Sequence, residues 1–338
     1  MDWIAYAHEG NYGLPDFLFA DGKRLNIRLK YRTLGHRSND NDNAVLMLHG
    51  TTGSGAQFLE PEIADHLFGT GQPLDINKYF IVMPDSIGHG GSSKPSDGLE
   101  QAFPQYGYAN MVDAQCHLVR QGLGFTHLRL ILGTSMGGMQ TWLWGQRYPE
   151  MMDALVPIAS LPAPISGRNL LMRRLLIQSI RSDPAYLSGG GKGQVPSLGL
   201  AWNIFNLFLD SSARLAEQFT NVAHTDAYIK QVAHEALQSQ NANDVIWEFN
   251  ASADYDPAGN LDRIIAPLLA INFADDDINV AALGVLDRAI QTVHSGRAIT
   301  LKAGPDSKGH QTLKVAATWQ RYLEEFMTQT RRPPPTAD

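Results

Sequence analysis

The run Gly133-Thr134-Ser135-Met136-Gly137 has the Gly-x-Ser-x-Gly spacing of a serine held on a sharp turn. Glycines on either side let the backbone reverse without a side-chain clash, so the serine oxygen projects at the start of the following helix. Five residues match this pattern often by chance, and the context decides. An apolar run at 128–132 leads into it and a helical stretch at 136–147 leads away, the strand-turn-helix setting that the chemistry needs. The bland reading, a glycine-rich strand end with an idle serine, explains less of this.

A serine nucleophile needs a base, and the base needs an acid to orient it. Of eleven histidines, His310 lies in Gly304-Pro-Asp-Ser-Lys-Gly-His310, a turn between the last strand and the last helix. The acid comes from Asp275-Asp276-Asp277, directly after an apolar run at 267–273. Three adjacent carboxylates repel one another if all point inward, so at most one faces the histidine. The order serine, acid, histidine along the chain is one of three known for this constellation. The oxyanion of acyl transfer requires preorganised backbone donors. One is expected from the N–H of Met136, the other from the loop His49-Gly50-Thr51-Thr52-Gly53, where Thr51 is chosen because the glycine beside it frees the backbone. Losing such a donor typically costs about 3 kcal/mol of transition-state stabilisation. A tight turn with no such role is the alternative for this loop. His49 and His89 are expected to make structural hydrogen bonds, and Gln140 and Trp144 to pack behind the serine. His234-Glu235 opens like a zinc-protease motif, but Gln238 occupies the second histidine position. No metal and no cofactor is implied. Neither Gly88-His-Gly-Gly91 nor the run at 189–193 matches a phosphate-binding loop, because Lys192 is followed by Gly193.

These residues must be positioned by a scaffold. Short apolar runs at 44–48, 79–83, 128–132, 154–159, 267–273 and 297–302 each end in turn residues and fit buried parallel strands. Helical stretches at 108–123, 136–147, 279–294 and 312–329 alternate with them. The fold class is therefore α/β, a mostly parallel central sheet flanked by helices. Residues 25–33 alternate apolar and polar side chains, as an antiparallel strand with one solvated face does. The alternation breaks from about 161, where 170–180 and 200–209 read as amphipathic helices separated by a glycine-rich turn. The expected organisation is a core of residues 1–160 and 261–330, a helical cap inserted at 161–260, and a disordered proline-rich tail at 331–338. Insertions of this kind commonly sit over the carboxyl ends of the strands, where ligands bind. A decorative helical layer is the alternative. Trp202, Phe205 and Phe208 are expected either to line an apolar substrate pocket or to be ordinary core.

The 338 residues are 43 % apolar and 18 % charged, which excludes a disordered polyelectrolyte. A net charge of 27 − 34 = −7 argues against nucleic acid as a partner. A single cysteine, Cys116, excludes an intrachain disulfide. No apolar run approaches the ~18–20 residues of a membrane span, and the first residues lack the pattern of a secretion signal. A soluble protein is expected, cytoplasmic by default, with an exported form whose leader has been removed left open. A homodimer is left open as well.

Taken together, these motifs make the chain resemble the α/β-hydrolase superfamily, with Pro84-Asp-Ser-Ile-Gly-His-Gly-Gly-Ser-Ser-Lys-Pro95 similar to the loop after its fourth strand. Within it, Gly133-Thr-Ser-Met-Gly-Gly-Met-Gln140, His49-Gly-Thr-Thr-Gly53 and Asp183-Pro184 resemble the homoserine O-acetyltransferase group. The resemblance implies that Asp276 is the acid, with Val280 where a proline usually follows it. It also marks departures. The acetyltransferases usually carry an aspartate straight after the catalytic histidine, where this chain has Gln311. They also carry an arginine six residues before the Asp-Pro, where it has Ile177. A free amino acid needs partners for both its charges. The expected function is thus a serine hydrolase of a carboxylic ester or related small acyl compound. An acyltransferase moving an acyl group from a thioester to an alcohol is the alternative. A catalytically silent binding protein and a non-hydrolytic reaction on the same fold are further readings.

Overall fold

The computed structural model describes residues 2–191 and 193–330; the tail at 331–338 lies outside the described residues, as does Lys192. Its strands are β1 His8–Leu18, β2 Arg24–Leu34, β3 Ala44–Leu48, β4 Phe80–Pro84, β5 Leu130–Thr134, β6 Leu155–Ile158, β7 Leu268–Phe273 and β8 Gly296–Leu301. They form one sheet in the order β1-β2-β4-β3-β5-β6-β7-β8. β1 and β2 pair antiparallel, β2 pairs antiparallel with β4, and every pairing from β4 to β8 is parallel. The central strands β3, β5, β6 and β7 are buried at every position. Helices cover both of their faces, which is why they read as continuous apolar runs.

Alternate side chains of each strand serve two cores. Leu46, Leu48 and Ile131 point to one, packed with helices Tyr108–His117 and Met136–Arg147. Val45, Met47, Leu130 and Leu132 point to the other, against Pro61–Leu67 and Ala316–Gln329.

Two helical expectations change. The stretch expected at 279–294 is a short 3-10 turn Ala281–Leu283, a helix Val285–Ala289 and a second 3-10 turn Ile290–Thr292. Left-handed Gly284 (φ 60°) breaks it, and the N–H groups of Ile278 and Asn279 bond to Asp276 before any helix begins. The stretch expected at 108–123 is helical through Gly122, but changes from α-helix at Tyr108–His117 to a π-helical turn at Leu118–Gly122. β1 was not legible beforehand. Gly10, Gly13 and Pro15 interrupt its pattern, and its register against β2 shifts between Leu14 and Phe17.

Between β6 and β7 the chain runs through helices Gly167–Arg181, Pro184–Gly189, Ser197–Asn206, Ser212–Gln218, Val222–Ser239 and Ala242–Asn250. Asp183 caps the second of these by accepting from Ala185 N–H at 2.8 Å, with Pro184 in the first turn, and also holds Ser197 N–H at 2.8 Å. Phe205 is buried edge-on against Phe249, with ring centroids 5.1 Å apart, and Trp202 packs beside both. No helix among the described residues is long and apolar enough to cross a membrane.

Candidate active site

β5 ends at Thr134 and the helix Met136–Arg147 starts one residue later, leaving Ser135 alone at the turn with φ 54° and ψ −114°. A non-glycine residue in that region is strained and persists only where its surroundings hold it. Here Ser135 N–H donates to Ile158 O at 2.9 Å. The flanking glycines are demanded by close approach. A Cβ on Gly133 would collide with the Gly137 carbonyl, and one on Gly137 with the Leu48 carbonyl. The elbow helix is thus pressed onto the sheet where β3 ends, which brings the β3 loop to the serine.

The serine oxygen meets His310 Nε2 at 2.8 Å, and His310 Nδ1 meets Asp276 Oδ2 at 2.7 Å. All three side chains are buried, Ser135 being 9 % exposed and His310 and Asp276 each 3 %. With its proton on Nδ1 donated to the carboxylate, the imidazole leaves Nε2 to accept from the serine hydroxyl. Burial pushes the Asp276 carboxyl up. The facing His310 and the hydrogen bonds from His310 and Asn279 outweigh that and hold it below its ordinary value. Asp276 Oδ1 accepts the N–H groups of Ile278 at 2.8 Å and Asn279 at 3.0 Å, and Oδ2 accepts Asn279 Nδ2 at 3.0 Å. The same Asn279 amide donates to Ala159 O at 2.8 Å, tying Asp276 to the residue that follows β6. The sequence offered no sign of this asparagine beyond its nearness to the acid.

The neighbouring aspartates point elsewhere. Asp275 Oδ2 accepts Gly309 N–H at 3.1 Å, and Asp277 Oδ2 accepts the Ser212 hydroxyl at 2.9 Å. Gly309 (φ 56°) packs against Asp210 and Ser211, leaving no room for a Cβ. Gln311 N–H donates to Leu209 O at 3.2 Å. The His310 turn is therefore pinned by Asp275 on one side and by residues 209–211, in the segment between β6 and β7, on the other.

Thr51 and Met136 lie at the same end of the sheet. Gly50 is close enough to Ser135 that a Cβ on it would stand 3.6 Å from the serine Cβ. The Gly50 N–H is taken by Gln57 Oε1 at 3.1 Å. Among the described residues, no acceptor faces the N–H of Thr51 or of Met136, although both residues are buried. Two unsatisfied donors beside a strained serine suit an oxyanion.

Polar contacts hold this loop in shape. His49 donates from Nδ1 to Gly50 O at 2.8 Å and accepts Ser86 N–H on Nε2 at 2.9 Å. Burial lowers its pKa, consistent with the neutral ring that this pair of bonds requires. His89 Nδ1 lies 2.9 Å from Ile87 O and Nε2 2.7 Å from Thr51 O, and a neutral ring donates to only one of these two carbonyls. Burial first, and the neighbouring His49 second, lower its pKa to about 3. Fully buried Asp85 braces the loop from below, accepting Arg32 Nη1, Gly55 N–H and Gly91 N–H, each at 2.8 Å. Gln140 and Trp144 pack as expected, both bonded to buried Gln115. His234 is exposed on the outer helix Val222–Ser239.

Residues 43–288 match the family described as alpha/beta hydrolase fold. The homoserine O-acetyltransferase of Thermobifida fusca is 33 % identical over 219 residues, 59 % of this chain and 57 % of that protein. That alignment covers little more than half the relative's length. The homoserine O-acetyltransferase of Trichormus variabilis is 30 % identical over 271 residues, 74 % of this chain and 73 % of that protein. Among solved structures, an acetylester hydrolase from Corynebacterium glutamicum shares the fold with a TM-score of 0.82, at 19 % identity, over 95 % of this chain and 96 % of its own.

Proposed function

Because the chain belongs to the alpha/beta hydrolase fold family and is related to homoserine O-acetyltransferases, we propose that it is a serine hydrolase cleaving a carboxylic ester through an acyl-enzyme. His310 Nε2 takes the Ser135 proton as Oγ attacks the acyl carbonyl. The N–H groups of Met136 and Thr51 receive the oxyanion, and Asp276 stabilises the imidazolium. Collapse of the tetrahedral intermediate breaks the C–O bond, with His310 protonating the departing alcohol. Water then attacks the acyl-enzyme with His310 again as base, and Ser135 is restored with release of the acid. In this reading the insertion at 161–260 is a cap, and the core is formed by 1–160 with 261–330.

The observation that carries the proposal is the unbroken chain of short contacts from Ser135 Oγ through His310 to Asp276, centred on a serine with positive φ. Hydrolysis is favoured over transfer to homoserine because Gln311, next to His310, brings no charge, and Ile177 is buried in the core at 0 % exposure. A zwitterionic acceptor would be left without a partner for its ammonium group there.

Transfer is the second reading, supported by the names of the relatives above. Product partition separates the two. 4-Nitrophenyl acetate and acetyl-CoA are supplied separately, with and without excess homoserine, and products are identified by mass spectrometry. Acetate from the activated ester, indifferent to homoserine, is the expected result. O-acetylhomoserine formed from acetyl-CoA would overturn it.

A further inference from the structure

Arg173 sits on the helix Gly167–Arg181 and is only 4 % exposed, yet no carboxylate pairs with it among the described residues. Its contacts are neutral. Nε donates to Asn169 Oδ1 at 2.9 Å, Nη1 reaches Ser252 Oγ at 3.4 Å, and the guanidinium lies 5.5 Å from the Phe249 ring centre. The Nη2 group has no acceptor among these residues. A guanidinium offers five N–H donors and keeps its charge at any working pH. Burying that charge against neutral groups alone is costly, and folded proteins normally pair it.

A second group beside it is equally incomplete. Tyr108 is fully buried and its hydroxyl has no hydrogen-bond partner. Arg173 and Tyr108 meet on the same segment, the one reaching Ser252 and the other packing its ring 5.8 Å from that of Tyr255. Burial raises the Tyr108 pKa, the Arg173 charge and the Thr51 and Arg173 side chains pull against that rise, and the Asp254 charge adds to it. Thr51 in turn follows Gly50, which abuts Ser135. A cation with no carboxylate partner and a hydroxyl with no close hydrogen bond, each among the other's polar neighbours, thus stand together on the Thr51 side of Ser135. Acting together, they present N–H and O–H donors to an anion, while the nearby Asp254 carboxylate is engaged by the Tyr108 N–H at 3.0 Å.

We infer that Arg173 and Tyr108 form a binding site for a carboxylate carried by the substrate, so that the ester cleaved at Ser135 is an anionic one. The inference rests on the ester-hydrolase reading above and narrows its substrate class. Guanidinium and phenol together match the planar carboxylate. The carboxylate could belong to either half of the ester: the acyl half, as in a monoester of a dicarboxylic acid, or the alcohol half, as in an O-acyl hydroxy acid.

The test compares kcat/KM for charged and neutral pairs on the full chain, with Ser135→Ala as the blank. 4-Nitrophenyl hydrogen glutarate against 4-nitrophenyl methyl glutarate reports the acyl side. O-Acetylglycolate against its methyl ester, followed by acetate release, reports the alcohol side. One arm should show a preference for the charged ester of about ten- to a hundredfold, the worth of a charge-assisted hydrogen bond. The arm that responds identifies the source of the carboxylate. Arg173→Gln should bring that ratio toward one and Arg173→Lys should restore part of it. Tyr108→Phe, which removes only the unpartnered hydroxyl, should lower the ratio less. Neutral esters turned over with no charged preference in either arm, or a ratio unchanged in Arg173→Gln, would overturn the carboxylate site alone. No turnover of any ester, with Ser135 unreactive to a fluorophosphonate, would overturn the hydrolase reading and this inference together.

Discussion

Asp276 receives four donors, from His310, the Asn279 amide and two backbone N–H groups, while Asp275 and Asp277 each hold a single loop contact. That asymmetry predicts a ranking. Asp276→Asn should lower kcat on 4-nitrophenyl acetate by about 10⁴-fold, as loss of the orienting acid does in related triads. Asp275→Asn and Asp277→Asn should retain most of it, and a reversed order would move the acid to Asp275. Asn279 acts through Asp276 and is a positioning residue. Asn279→Ala should reduce kcat about 10- to 100-fold, the worth of a hydrogen bond to a charged group, and leave KM unchanged. A rise in KM at constant kcat would show a role in binding instead. Ser135 and His310 were legible because each is announced by its neighbours: glycines around one, a strand-to-helix turn around the other. Asn279 was not, since its partners Asp276 and Ala159 meet only after β6 and β7 pair.

The loop after β3 and the segment Gly88 to Pro95 are held together by one carboxylate. Asp85 is fully buried and satisfies Arg32 and the N–H groups of Gly55 and Gly91. Truncating it leaves the Arg32 guanidinium, itself only 12 % exposed, without its buried partner. Asp85→Ala should cost about 3–5 kcal/mol in urea unfolding, the usual loss when half of a buried pair is removed. A cost below 1 kcal/mol would show that Glu9, which also contacts Arg32, compensates. At the elbow, Gly137→Ala should prevent folding or separate the helix from the sheet, because the new methyl group meets the Leu48 carbonyl. Circular dichroism and solubility report either outcome. The central strands could be read in advance because burial on both faces leaves only apolar side chains. β1 could not, since its structure comes from pairing with β2 and not from its own pattern. The expected helix at 279–294 failed for a related reason: tertiary demands on Ile278 and Asn279 overrode a local preference.

Across the whole molecule, two histidines, His49 and His89, are buried beneath the site, and burial disfavours the charge on each. Unfolded, His89 would titrate at 6.5; folded, it does so at about 3. Between those values the unfolded chain binds the extra proton, so the stability that His89 contributes is present above about 6.5 and fades as pH falls toward 3. The gap in unfolding free energy between the protein and His89→Asn should narrow over that window, measured by urea titration at fixed pH steps. A constant gap would mean that the ring is already protonated when folded. The α/β class followed from alternating apolar and helical stretches, whereas the later helices between β6 and β7 went unread although Ser211, Asn221 and Asn241 cap their starts. The way that segment meets the core bears on how it could be replaced. Leu209 holds the backbone of Gln311, Ser212 holds Asp277, and Gly309 is packed on Asp210 and Ser211. The seam between insertion and core therefore passes through the histidine turn itself. A chimera that takes this segment from a relative should recover turnover only when the turn at 304–311 travels with it, so the two pieces are inherited as one part.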